Sequence, residues 1–134
     1  MEPVKEKNID FLECVKSCYT TKYKDFTGRA RRREYWYCWL IYVILQGVVS
    51  TITDTLLGIL GDDSIIAWGL SLVLYIAVAI PNIAVATRRL HDIGKSGWAQ
   101  LIAFIPLVGW LILVYWLIKE GEPGDNKYGL NPKF

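Results

Sequence analysis

The chain has 134 residues, of which 53% are hydrophobic and 21% charged, with a formal net charge of +2. So apolar a composition excludes a disordered chain, and three cysteines are too few for a disulfide-built scaffold. The length allows one domain, and long uncharged runs in place of amphipathic stripes exclude an ordinary water-soluble one.

Residues 1–28 form a polar N-terminal segment without the apolar centre of a cleavable signal. Within it, Ile9, Phe11, Leu12 and Val15 make a short apolar face. This predicts a short helix, either lying on the inner membrane surface or packed against the ends of the membrane segments. Cys14 and Cys18 follow at helical spacing and read as reduced packing residues.

Thr27 is placed to cap a helix starting at Gly28 or Arg29. On such a helix Arg29, Arg32, Arg33 and Trp36 share one side, and Arg31 and Glu34 form an i, i+3 pair. Several cations in a first turn oppose the helix dipole. Anionic lipid phosphates are the natural compensation, at roughly 1 kcal/mol per basic residue near the surface.

About 20 apolar residues cross a bilayer, and the stretches 35–57, 65–86 and 98–118 qualify. The first contains one acid, Asp54, about 28 Å along a helix from Tyr35. That depth is the far edge of the hydrocarbon, so Asp54 reads as interfacial, although intramembrane ionisable groups are functional suspects by default. The second contains Pro81 and Asn82; proline frees the carbonyl of Ala77, and Asn82 reads as interhelical glue. Arg88, Arg89, His91, Asp92 and Lys95 then cluster in an elbow. Arg88 and Asp92 are spaced i, i+4, Gly94 suits a left-handed helix stop, and Ser96 suits the next cap.

The third stretch is interrupted by Pro106 and Gly109. It is read as one kinked span, with Trp110 packed between helices. The alternative is a re-entrant hairpin that returns the tail, residues 119–134, to its side of origin. That tail is almost pure turn chemistry. Basic residues beside the first and second stretches put both flanks, and the N-terminus, in the cytoplasm. The expected fold is an all-α membrane protein: a small polytopic helical bundle with about three hydrophobic segments and a short N-terminal cytoplasmic or interfacial helix.

Little catalytic chemistry is available. One histidine and dispersed cysteines make neither a metal site nor a nucleophile–base pair, so no catalytic residue, metal or cofactor is expected. The arginine run abuts a membrane segment, so nucleic acid is not an expected partner. Arg29, Arg32, Arg33, Arg88, Arg89, His91 and Asp92 are the candidate residues for binding anionic headgroups or a partner, whether a membrane protein or a second copy. Asp54 and Asn82 are the candidate intramembrane polar residues. A non-enzymatic binding component at the cytoplasmic face is the leading reading. An oligomeric transport or channel component using Asp54, Gln46 and Asn82 is the alternative, and a membrane enzyme using the His91/Asp92 elbow is a second.

Three segments in order resemble a known family: Phe26-Thr27-Gly28-Arg29-Ala30-Arg31-Arg32-Arg33-Glu34-Tyr35-Trp36, then Arg88 to Trp98, then Pro106 to Trp110 with Gly121 to Pro132. Their set and spacing are similar to the bacterial family called domain of unknown function 805, over about residues 11–133. The resemblance implies a small inner-membrane protein and no particular activity. It also implies a recurrent polar signature: Gly28, Arg29, Arg32, Trp36, Arg88, Arg89, His91, Asp92, Ser96, Gly97, Asn126, Gly129 and Pro132. These would meet at one membrane surface if the tail is cytoplasmic.

Overall fold

The computed structural model describes residues 8–134; the first seven residues of the polar N-terminal segment lie outside it. The order is helix α1 (Phe11–Tyr19), α2 (Arg32–Leu60), α3 (Ile65–Asp92), a 3₁₀ segment (Gly97–Phe104) and α4 (Val108–Ile118). At about 1.5 Å per residue, the 29 residues of α2 and 28 of α3 exceed the ~30 Å of hydrocarbon in a bilayer.

The two long helices are joined at Gly61–Ser64 and run back along each other. Small residues meet between them: Thr53, Ala67, Ser71 and Ala84 are all buried. Small side chains let backbones approach where lipid supplies no hydrophobic drive between helices. The outward faces are the reverse of a water-soluble protein. Only 11% of the apolar stretch of α2 and 28% of that of α3 is buried, while Ile44, Val48, Leu72 and Val73 are exposed. A soluble domain does not leave apolar area of this extent uncovered.

The third apolar stretch is a hairpin, not the single kinked span expected from its length. The eight-residue 3₁₀ segment, at about 2 Å per residue, reaches roughly 16 Å. The eleven residues of α4 reach about the same. Neither is long enough to cross a bilayer alone, and the two limbs fold back on each other. At the tip the Val108 N–H donates to the Pro106 carbonyl at 2.8 Å, and Leu107 sits at φ 63°, ψ −67°. That is a γ-turn of the strained kind. The limbs close on Gly109, and the Trp110 indole donates to the Ala103 carbonyl at 2.7 Å. Trp110 is thus exposed on the hairpin, not packed between helices.

Of the two readings of α1, the structure shows the packed one, on a different face from that expected. Cys14 and Cys18 turn inward and Leu12 outward. The Phe11 ring meets Tyr37 edge to face. The Tyr19 hydroxyl reaches the Cys38 carbonyl at 3.5 Å. Beyond α1, the Tyr23 hydroxyl donates to the carbonyl of Ala77, the group released by Pro81.

A side chain at 109 would place its Cβ 1.9 Å from the Ile102 carbonyl oxygen, whereas one at Gly58 meets nothing within 4 Å. Gly109→Val is therefore expected to cost about 1–3 kcal/mol by overpacking, and Gly58→Val little. Thermal melts in detergent check this; equal melting temperatures would contradict the hairpin.

Candidate functional site

The apolar run of α3 ends at Thr87, and consecutive residues on a helix diverge by about 100°. Arg88 and Arg89 therefore face different neighbours. Arg88 points at the start of α2, where its Nη1 donates to Glu34 Oε1 at 2.7 Å. Arg89 points at the end of α4. Its Nε donates to the Leu117 carbonyl at 3.1 Å, and its Nη2 to that of Lys119. A helix leaves its last carbonyls without partners, and a cation there also complements the dipole.

Asp92, one turn on from Arg89, joins three parts of the chain. Its Oδ2 accepts from Arg89 Nη1 at 2.6 Å. Its Oδ1 accepts from Arg29 Nε at 3.0 Å. Its main-chain carbonyl accepts from the Glu122 N–H at 2.7 Å. A Cβ at Gly121 would stand 2.0 Å from Asp92 Oδ2, so the tail passes here only as glycine. Arg29 then gathers the tail, donating from Nη1 to the Gly124 carbonyl at 2.6 Å and from Nη2 to the Glu122 carbonyl at 2.8 Å.

His91 completes the layer. Its Nδ1 lies 2.9 Å from the Gly28 carbonyl, which only accepts, so Nδ1 carries the proton. The ring stacks on Tyr128 with centroids 3.9 Å apart and planes 1° from parallel. Asn126 Nδ2 donates to the His91 carbonyl at 2.9 Å and to Glu122 Oε2 at 2.8 Å. Both oxygens of Asp92 are taken by arginines, so no aspartate orients the imidazole.

The structure thus brings Arg29, Arg88, Arg89, His91 and Asp92 together and adds the tail. Arg29, Arg88 and Arg89 are buried, with Glu34, Asp92 and main-chain carbonyls as partners. They face the protein and not lipid. Arg32 and Arg33 stand apart, exposed at the start of α2. Arg32 is 3.8 Å from Glu120, which also accepts from Lys133 at 2.8 Å. The Lys133 hydrogen bond holds the Glu120 carboxyl below its usual range.

Asp54 and Asn82 do not meet. Asp54 is six residues from the end of α2, about 9 Å, and Asn82 is 17 from the start of α3, about 26 Å. Along paired antiparallel helices they differ in depth by about 17 Å. Asp54 is exposed and Asn82 half-buried.

Several local expectations give way to tertiary pairing. Thr27 caps no helix; it bonds Asp25 in a turn, hydroxyl to Oδ1 at 2.6 Å, and α2 begins at Arg32. Arg29 therefore precedes the helix and shares no face with Arg32 and Arg33. Glu34 takes Arg88 and Lys22 in place of Arg31, and Asp92 takes Arg89 in place of Arg88. Arg31 donates to the Pro132 and Lys133 carbonyls. Sequence reasoning missed Tyr23 and the central role of Glu34. Their signals were the carbonyl freed by Pro81 and a lone acid within a basic run. Among the described residues no group of three His, Cys, Asp or Glu side chains is arranged to hold a metal.

The family model described as protein of unknown function (DUF805) matches residues 23–130. The chain is 39% identical over 112 residues to Inner membrane protein YhaI of Escherichia coli (strain K12), covering 84% of this chain and 89% of that one. It is 40% identical over 113 residues to Inner membrane protein YhaH of the same strain, covering 83% and 89%. No solved structure matches.

Asp92→Asn keeps the shape but removes the charge between two buried guanidinium groups. Breaking such a pair costs about 3–5 kcal/mol, so this variant is expected to melt far lower and to expose residues 119–134 to protease. Arg33→Gln, at an exposed position, is expected to stay within about 0.5 kcal/mol of the parent. Melting curves with limited proteolysis compare the two.

Proposed function

The chain belongs to the DUF805 family as an inner membrane protein, and we propose that it is a non-enzymatic component that binds anionic lipid headgroups at the cytoplasmic face. In this reading α2 and α3 cross the membrane, the 97–118 hairpin re-enters from the cytoplasmic side, and the tail is cytoplasmic. The observation that carries it is the sorting of the arginines. Arg29, Arg31, Arg88 and Arg89 are buried within the protein, whereas Arg32, 3.8 Å from Glu120, and Arg33 are exposed where the apolar surface of α2 begins.

The surroundings of these two residues support a headgroup-level position. Tyr35, Trp36 and Trp39 form a chain of edge-to-face rings within the next two turns, and amphipathic aromatics favour that level. The arginines carry the positive charge that anionic phosphates attract. An acidic juxtamembrane segment of another membrane protein would meet the same rim.

Two measurements test this. Reporter fusions after residue 134 are expected to be active in the cytoplasm and inactive outside; the opposite pattern would overturn the hairpin topology. Replacing Arg32 and Arg33 together by Gln removes about 2 kcal/mol of headgroup attraction, a tenfold or larger loss. Native mass spectrometry is expected to show that loss for retained phosphatidylglycerol and not for phosphatidylethanolamine. Unchanged retention would remove the lipid reading.

A further inference from the structure

A cavity of about 630 Å3 lies between the last turns of α3 and the first limb of the hairpin. This is within the range of about 300–1,000 Å3 typical of small-molecule sites. Its lining is divided by depth. Thr87, His91 and Ser96 lie toward the elbow, while Ile83, Leu101 and Phe104 lie deeper. Ile83, Trp98, Leu101 and Phe104 are 46–84% exposed, so the cavity opens sideways, on the same side as the lipid-facing surfaces.

The polar end has a definite hydrogen-bonding character. The Gln100 amide nitrogen is used on Thr87 Oγ1 at 2.7 Å and on the Gly97 carbonyl. The Thr87 hydroxyl is used on the Ile83 carbonyl at 2.9 Å. The His91 Nδ1 proton is used on Gly28. What remains is acceptor capacity at His91 Nε2 and Gln100 Oε1, together with the hydroxyl hydrogen of Ser96, whose oxygen already accepts from the Trp98 N–H at 3.4 Å. Among the described residues no Lys, Arg, Asp or Glu lines the space. A head that satisfies this end both donates and accepts, as a hydroxyl does, and meets no counter-charge there. At about 30 Å3 per water-sized group, the volume admits on the order of 20 such groups, enough for one chain with a small head.

We propose that this cavity binds a single-chain amphiphile with an uncharged, hydroxyl-bearing head, of the monoacylglycerol type. The head sits at His91, Ser96 and Gln100, and the chain runs along Ile83, Leu101 and Phe104 into the bilayer. The site rests on the membrane placement proposed above but not on the anionic-lipid selectivity of Arg32 and Arg33.

The test uses the full chain in nanodiscs of phosphatidylethanolamine and phosphatidylglycerol. The probe is a monoacylglycerol with a photoreactive diazirine midway along its chain. Label is expected on peptides covering 83–91 and 97–104, with displacement by unlabelled monoacylglycerol. Leu101→Trp and Ile83→Trp, which fill the cavity, are each expected to cut labelling at least fivefold. Leu111→Trp, on the exposed side of α4 and outside the lining, should not. A fatty acid with the same photoreactive chain is expected to label more weakly, and Gln100→Leu should erase the difference. Label spread over the outer faces of α2 and α3 and unmoved by both cavity-filling variants would overturn the proposal. Fatty acid labelling above the glyceride would overturn the uncharged-head assignment. Arg32 and Arg33 replaced by Gln should leave glyceride labelling intact, so failure of the headgroup reading is distinguishable from failure here.

Discussion

The carboxylate of Asp92, held between Arg29 and Arg89, is the interaction on which the rest of the molecule depends. Its two oxygens bind guanidinium groups from the segment before α2 and from the end of α3, and its main chain receives the tail at Glu122. Two arginines sharing one carboxylate leave surplus positive charge, which tail and helix-end carbonyls absorb. Burial makes this arrangement all or nothing: in a low-dielectric layer each charge is tolerated only while its partners are present. A turn-rich tail with no periodicity of its own is ordered because it supplies some of those partners.

In the topology proposed above, the bilayer sets the second constraint. In hydrocarbon no water serves a free backbone group, so a re-entrant segment has to close its hydrogen bonds within the protein. The hairpin does so with helical bonds along both limbs, a tight turn at Leu107, and Arg89 on the carbonyls at the end of α4. Arg89 thus belongs both to the Asp92 layer and to the anchor of the hairpin. The polar layer and the depth of the hairpin are one mechanical unit. The same logic explains Tyr23, which answers the carbonyl that Pro81 exposes.

The arginines consequently divide by task. Those engaged by Asp92, Glu34 and the tail carbonyls build the layer, and Arg32 and Arg33 lie exposed outside it. The amphipathic cavity lies at the junction of layer and hairpin, where a polar end and an apolar wall come within one side chain's reach. Its uncharged lining and the cationic rim of α2 differ in charge, so in the readings proposed above they would take different lipids.

Much of the architecture was legible in the amino-acid order. Hydropathy marked both long helices, and Pro106 and Gly109 marked the break in the third stretch. These follow from chain-local physics: the apolar length a bilayer requires, the φ restrictions of proline, the space around a glycine. The pairing of charges was not legible. Helical spacing proposed Arg31 with Glu34 and Arg88 with Asp92, but the partners come from 54 or 63 residues away or one position along. Spacing rules rank neighbours within a helix by a few tenths of a kcal/mol, and a buried guanidinium outweighs that preference by an order of magnitude. Nor could length alone decide between one kinked span and a hairpin, since 21 apolar residues satisfy either. That choice was made by contacts between segments: Gly109 against Ile102, and Arg89 on the end of α4. The sequence by itself determined which segments are apolar enough for a membrane and which stay polar. Only the tertiary structure decided which charges neutralise one another, and therefore which remain exposed to bind anything else.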